Sequence, residues 1–425
     1  MSAMPGIGAA AGTTATELPA EDAETGLTDQ ERARRWDEIR WRMDLAGYDA
    51  LLVWGNESKW QSALANTRYL SGRVAPGCIL FPLEGDPVLW SGFPHDVTPY
   101  GALAGGWISD VRAGQQTTAD IASTVRDRGY GKGAIGVVGF GETRPRVIPE
   151  TVPYRQFSEI AAAVPEARFV DAGWLLEHTR MIKGAEEIAL LRKSAELTRA
   201  MAAAMIDSAR PGVPEYEVYA NMIAACLRGG GEEDMAWIGS GALPPPHGKR
   251  PPASARLLEP GDIVVCEYHA CYKGYLTGAE ISVSLGEPRP EFRGIQEVCA
   301  RSQRQGIAAM RPGAPFRDAV RAFRGPIAEA GFGSVECGLH GHGLASPEFP
   351  STMYGGEGGG WADHAYARVP SLRFAENMVF STASDVYDPA WNSGTGLMLG
   401  RTVLITADGP EEMTGLPIEN ELIVV

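Results

Sequence analysis

The chain has 425 residues, of which 44% are hydrophobic and 21% charged, and its formal net charge is −15. This length supports a large buried core and more than one domain, and the composition is that of an ordinary globular protein. The excess of acidic side chains argues against nucleic acid or an anionic membrane as a partner. The sequence contains no apolar run of about 18 residues, so no transmembrane helix is predicted. The six cysteines form no CxxC pair, which is typical of core thiols in a reduced, cytoplasmic compartment.

The first part of the chain reads as a tail followed by a small α/β domain. Residues 1–27 are rich in small and acidic residues, and we expect them to be loosely ordered, with no signal peptide or anchor. Residues 28–180 are predicted to form the domain, because amphipathic helical stretches alternate with short β-branched runs. The predicted elements are a helix over 28–45, a strand over 50–54, a hairpin over 78–90, a helix over 118–127 and a strand over 135–140.

The second part, residues 181–425, contains an internal repeat. A long helix from Glu186 ends at the motif RPGVP (210–214), and a second helix follows. The motif RPGAP (311–315) recurs 101 residues later, again between two predicted helices. Two such halves, related by pseudo-symmetry, would place their sheets side by side with the helices on one face.

The segment 261–286 predicts a β-hairpin closed by a turn at Lys273-Gly274. Glu267 lies late in its first strand and Glu280 early in its second, so the two carboxylates are expected to approach each other across the hairpin. Two close carboxylates raise at least one pKa unless a cation lies between them.

Several short motifs, taken in their order and spacing, resemble one known family. They are Met181-Ile182-Lys183, Gly261-Asp262, Gly274-Tyr275, the run from His340 to Leu344 followed by Glu348 and Pro350, and Met378-Val379-Phe380. Over residues 30–425 the chain resembles the pita-bread family of methionine aminopeptidase, prolidase, aminopeptidase P and creatinase. The resemblance implies a mixed α/β protein with an N-terminal creatinase/prolidase-type domain and a C-terminal pita-bread domain built from a pseudo-two-fold repeat.

The resemblance also implies where the family's peptidases hold two divalent metals. Those five ligand positions fall on Glu267, Gly278, His340, Ala383 and Gly400. Three of the five carry no donor side chain, so the sequence predicts neither metal nor other cofactor. The chain therefore looks like the metal-free branch that resembles creatinase and ectoine hydrolase.

In that branch the resemblance implies four catalytic residues. Glu280 would hold the N–H groups of an amidine or amide, and His247 would transfer protons. Glu267 would activate water or form an acyl intermediate, and His340 would polarise the tetrahedral centre. Only one of His340 and His342 is expected to face the site, and the spacing of His340 to Glu348 and Pro350 favours His340. His269 is predicted to be structural.

Five more residues are predicted to bind substrate, and a glycine-rich stretch over 355–360 is predicted to act as a lid. By analogy with creatinase, arginines of the N-terminal domain would reach the neighbour's site in a homodimer. The substrate-binding candidates are Tyr275, His342, Glu348, Arg68 and Arg73.

The sequence-based expectation is a metal-independent hydrolase that cleaves a non-peptide C–N bond of a small polar metabolite. Three alternatives stay open: a metal-dependent Xaa-Pro aminopeptidase or prolidase, a C–N lyase, and a non-catalytic binding module of the pita-bread type.

Overall fold

A computed structural model describes residues 26–56, 61–98, 105–114, 117–140, 152–248, 253–351, 372–415 and 422–425. Nearly all of the predicted tail and the whole of the predicted lid at 355–360 lie outside these residues. The described helices are α1 Asp29–Ala46, α2 Ala65–Ser71, α3 Thr117–Asp127, α4 Tyr154–Ala163, α5 Gly173–Met181, α6 Ala185–Ser208, α7 Glu215–Arg228, α8 Pro290–Ala309 and α9 Phe316–Glu329.

The described strands form two sheets, which confirms the predicted mixed α/β fold. Six strands make the first sheet, in the order β4-β3-β2-β1-β5-β6. They are β1 Ala50–Gly55, β2 Gly77–Pro82, β3 Val88–Ser91, β4 Asp110–Arg112, β5 Ala134–Val138 and β6 Arg168–Asp171. The other strands are β7 Glu232–Gly241, β8 Ile263–Tyr272, β9 Tyr275–Ser284, β10 Gly333–Gly341, β11 Glu348–Ser351, β12 Val379–Tyr387, β13 Gly400–Thr406, β14 Gly409–Glu412 and β15 Ile423–Val424.

The second sheet shows the predicted repeat. Its order β11-β10-β12-β13-β9-β8-β7 sets one half beside the other, with β14 paired to β13 and β15 paired to β9. Helices α6 and α7 bury their apolar residues against β7 to β9, and α8 and α9 bury theirs against β10, β12 and β13. All four of these helices therefore cover one face of the sheet and leave the other face free for a site.

Local sequence explains where these helices begin and end. The Thr28 side chain accepts a hydrogen bond from the Glu31 backbone N–H and caps α1, which ends at Gly47 in the left-handed region. In the two repeat motifs, Gly212 and Gly313 have φ angles of 89° and 82°. A positive φ suits glycine, so the same turn separates the paired helices in both halves.

Two glycines of α8 should respond in opposite ways to alanine. A Cβ on Gly306 would lie 2.2 Å from the Phe323 ring, whereas a Cβ on Gly294 would meet nothing within 4 Å. Gly306→Ala is expected to lower the free energy of unfolding by about 1–3 kcal/mol through overpacking. Gly294→Ala is expected to raise it by about 0.5–1 kcal/mol through helix propensity. Urea denaturation of both variants tests this pair, and equal effects would contradict the packing of α8 on α9.

All six cysteines lie in the described residues and are buried without a disulfide. Burial raises the pKa of each thiol, so the thiols are poor nucleophiles. None of the described helices combines the length and the apolar character that a membrane crossing requires.

Candidate active site

The face of the second sheet that the helices leave uncovered carries a line of polar side chains. Residues two apart in a strand point to the same face, and Ile281 of β9 and Phe380 of β12 pack in the helix-side cores. Glu280 of β9 and Asp385 of β12 therefore point to the opposite face. The register pairs Glu267 of β8 directly with Glu280, which confirms that the two carboxylates meet across the hairpin.

His247 reaches this face from the loop after β7. The loop is tied to the segment after β12, because the Pro244 carbonyl accepts hydrogen bonds from the Gly396 N–H and the Thr395 hydroxyl. The His247 ring packs edge-on against Trp237, with ring centroids 5.6 Å apart. The fold thus presents this loop histidine to the sheet.

Five titratable side chains meet here, and we call them the site cluster: His247, Glu267, Glu280, Glu336 and Asp385. His247 Nδ1 lies 2.6 Å from Asp385 Oδ2, and His247 Nε2 lies 3.6 Å from Glu267 Oε2. One donor atom each from His247, Glu336 and Asp385 lie within 4.8 Å of one another. The cluster contains four carboxyl groups and one imidazole.

The cluster strongly perturbs two of its own carboxyl groups. Burial, reinforced by the nearby Glu336 and Glu280, raises the pKa of Glu267 to about 7. Burial and the neighbouring Asp385 and Glu336 raise the pKa of Glu280 well above its ordinary value. In the protein without bound cations, protons on these two groups limit the repulsion among the four neighbouring carboxyls.

This perturbation predicts a pH-dependent stability of the metal-free protein. The ordinary pKa is 4.5 and the folded value for Glu267 is about 7, so the folded state holds a proton that the unfolded chain releases between these values. Stability should therefore fall as pH rises through this window, by up to about 3 kcal/mol from Glu267. Urea denaturation with chelator at pH 5 to 8 should show this decline, and Glu267→Gln should flatten it. Parallel curves for the two proteins would contradict the raised pKa.

Three histidines form a second group next to Glu267. His269 Nε2 lies 3.9 Å from Glu267 Oε1, and its Nδ1 lies 3.1 Å from Asp234 Oδ2. The His342 ring contacts both His269 and His340, with centroids 5.0 and 5.5 Å apart. Burial lowers the pKa of His340 to about 4 and that of His342 well below its ordinary value, so both rings are neutral. The structure therefore places His340 and His342 together beside the cluster, with His269 between them and Glu267, whereas only one of the two was expected on this side.

The other predicted substrate-binding residues lie in internal contacts. The Tyr275 hydroxyl donates to Glu187 and accepts from Arg35, at the junction of the two domains. Glu348 is buried against Lys183 and Arg180, and Arg73 pairs with Asp96.

Arg68 lies in its own chain beside the hairpin turn. A Cβ on Gly274 would lie 2.4 Å from the Arg68 guanidinium, and Arg68 Nη1 is 3.6 Å from Glu232 Oε2.

The sequence gives no sign of Glu336 or Asp385 as site residues. The one available signal is that Asp385 lies two positions beyond the empty ligand position 383, on the same face of the strand.

Comparison with known families identifies the chain. Residues 35–182 match the model of the Creatinase/Prolidase N-terminal domain, and residues 189–407 match that of Metallopeptidase family M24. The chain belongs to metallopeptidase family M24. This finding confirms the predicted pita-bread family, whereas no comparison shows its metal-free branch.

Relatives of this chain are named as peptidases. The chain is 27% identical over 285 residues to a Xaa-Pro dipeptidase of Pyrococcus horikoshii, and this alignment covers 65% of this chain and 74% of that protein. It is 31% identical over 259 residues to the probable dipeptidase PepE of Mycobacterium tuberculosis, over 59% of this chain and 62% of that protein.

Solved structures show the same fold. Dipeptidase PepE from Mycobacterium ulcerans aligns with a TM-score of 0.72 at 24% identity, over 94% of this chain and 99% of that one. The N-terminal domain of the FACT complex subunit SPT16 from chickpea aligns with a TM-score of 0.67 at 14% identity, over 93% of this chain and 98% of that one. These likenesses establish the fold and leave the activity to the site.

Membership of a metallopeptidase family overturns two of the sequence-based predictions. The prediction of a metal-independent, creatinase-like enzyme is wrong, and so is that of a hydrolase for non-peptide C–N bonds, because the M24 model and the named dipeptidases point to peptide bonds. The error came from counting donors only at the five ligand positions that the resemblance implies.

The family's implied metals do not fit at those five positions in this M24 chain. Gly278, Ala383 and Gly400 offer no donor, and the space beside two of them is taken. A Cβ on Gly400 would lie 2.7 Å from Glu280 Oε2, and a Cβ on Gly278 would lie 2.5 Å from the His269 ring. The site cluster, in contrast, is an oxygen-rich donor set with one imidazole, which suits a hard or borderline divalent cation.

Proposed function

We propose that this chain is a metal-dependent peptidase that hydrolyses short peptides, with Xaa-Pro dipeptides as its substrate class. The observation that carries the proposal is the site cluster: four carboxyls, three of them buried, and one partly buried imidazole on the free face of the pita-bread sheet. The name of the relative at 27% identity, a Xaa-Pro dipeptidase, supports the substrate class, and the dipeptidase name of the relative at 31% supports short peptides.

Glu267 is the proton carrier in this proposal. As a carboxylate beside the proposed cation, Glu267 would take a proton from water and return it to the leaving amine. Its Oε2 atom is buried and makes no hydrogen bond to any described residue, which leaves that atom available for a water or substrate proton.

His247 and the carboxyls of the site cluster other than Glu267 would hold the cation. When bound, a divalent cation polarises the scissile carbonyl and lowers the pKa of water. His340 and His342, kept neutral by burial, lie beyond His269 from Glu267 and would exclude bulk water and donate hydrogen bonds to substrate. A homodimer and a cytoplasmic location are further parts of the proposal, and the buried thiols without a disulfide support the second.

The test is a substrate panel for the manganese-loaded protein, followed by chromatographic separation of the products. Xaa-Pro dipeptides should release free proline, and matched Xaa-Ala dipeptides, tripeptides, amidines and guanidines should react more slowly or not at all. Turnover of an amidine or guanidine, with every dipeptide intact, would overturn the proposal.

A further inference from the structure

We infer that this chain binds one divalent cation at a centre displaced along the sheet from the family position, with His247, Glu336 and Asp385 as its ligands. Its chemical purpose rests on the proposed peptidase function, whereas its place rests on the geometry of the site cluster.

Three elements bring the proposed ligands together. His247 comes from the loop after β7, Glu336 from β10 and Asp385 from β12, and their donor atoms lie within 4.8 Å of one another. One nitrogen and two carboxylate donors suit Mn²⁺, Co²⁺ or Zn²⁺. Three protein ligands leave positions open for water and substrate, as catalytic metal sites require.

A buried oxygen beside these ligands independently points to a cation. Glu280 is only 4% exposed, and its Oε2 has no hydrogen-bond partner among the described residues. Its carboxyl group contacts Asp385. His247 Nε2 is likewise buried without a hydrogen bond to the described part of the chain. Because an unsatisfied buried polar atom is costly, a bound cation is favoured whose water ligands could satisfy both atoms.

The displacement has a simple origin in the strands. Position 278 carries glycine and 280 carries glutamate, while 383 carries alanine and 385 carries aspartate. In both strands a carboxylate therefore lies two residues beyond the family's ligand position, on the same face and about 6–7 Å away. Gly400 supplies the room, because its missing side chain leaves space for the Glu280 carboxyl.

The donor count favours one cation. Glu267 lies between His247 on one side and His269 on the other. His340 Nδ1 lies 2.8 Å from the Gly341 carbonyl oxygen. With no donor at 278, 383 or 400, the family position keeps one carboxylate and one imidazole, which is too few for a second cation.

Calorimetric titration of Mn²⁺ into the chelator-treated full chain, with Mn²⁺ electron paramagnetic resonance, tests the centre. We expect one Mn²⁺ per chain. Glu336→Gln and Asp385→Asn should each weaken binding by at least about 10–100-fold, whereas His340→Gln, at the family position, should leave the affinity unchanged. Two bound Mn²⁺ ions, or binding lost in His340→Gln and kept in Glu336→Gln, would overturn the inference.

A measurement on the unmodified chain removes the dependence on variants that fold poorly. Anomalous X-ray diffraction from crystals of the Mn²⁺-loaded full chain should locate the ion between the side chains of His247, Glu336 and Asp385. An ion located at His340 instead would contradict this location. Mn²⁺ binding without dipeptide turnover would refute the proposed function alone, and dipeptide turnover with binding insensitive to Glu336→Gln would refute the displaced centre alone.

Discussion

Glu267→Gln is expected to lower kcat for dipeptide hydrolysis by about 10²–10⁴-fold, the usual contribution of a positioned acid or base. Glutamine preserves the shape of the side chain and its place opposite Glu280 but cannot take a proton. One Mn²⁺ per chain should still bind, because Glu267 is not among the three inferred ligands. Steady-state kinetics with parallel Mn²⁺ titration measures both quantities.

Glu412 supplies the matched control for this variant. It is another carboxyl whose pKa burial raises, and it lies on β14, outside the site cluster. Glu412→Gln should leave kcat unchanged. If Glu267→Gln retains the activity of the unmodified chain, Glu267 is not the proton carrier. If it loses its Mn²⁺, Glu267 is a ligand and the inferred ligand set is incomplete.

Glu348→Gln is expected to lower the free energy of unfolding by about 3–5 kcal/mol. Glu348 Oε2 lies 2.8 Å from Lys183 Nζ and Glu348 Oε1 lies 3.4 Å from Arg180 Nε. Burial alone would raise the pKa of Glu348, but these two cations outweigh it and lower the pKa. Without the carboxylate, two buried cations lose their counter-charge, and urea denaturation should show the loss.

An exposed pair provides the comparison. Glu411 pairs with Arg192 at the surface, where the two side chains are 38% and 50% exposed, so Glu411→Gln should change stability by about 0–1 kcal/mol. Adding Lys183→Met to Glu348→Gln should cost less than the sum of the two single changes, because the buried charge is removed as well. A fall in activity with unchanged stability would instead support the substrate-binding assignment of Glu348.

The sequence was sufficient for the fold because local signals and the fold agree in both repeats. The two RPG turns, the acidic first turn of α6 and the hairpin at Lys273-Gly274 each fix an element without reference to distant residues. The short helix α2 was missed, because its residues 65–71 show no amphipathic pattern, and their burial comes from packing between α1 and β1.

Only half of the site could be found in the same way. Glu267 and Glu280 meet through a local hairpin, so their pairing follows from turn placement. Glu336 and Asp385 join them through the pairing of β10 with β12, which contains a register shift between Ser334 and Cys337. A shift of this kind changes which residues face the site, and the sequence does not reveal it. For this reason the missing donors at 278, 383 and 400 suggested a metal-free enzyme.

The most direct test of this account is dipeptide hydrolysis as a function of bound cation. Chelator-treated protein would receive Mn²⁺ in steps, with bound Mn²⁺ and proline release from a Xaa-Pro dipeptide measured in the same samples. We predict no turnover without the cation, and a rate of proline release that rises linearly with bound Mn²⁺ until one Mn²⁺ is bound per chain. Full turnover in the presence of chelator, or no proline release at any Mn²⁺ occupancy, would contradict the account.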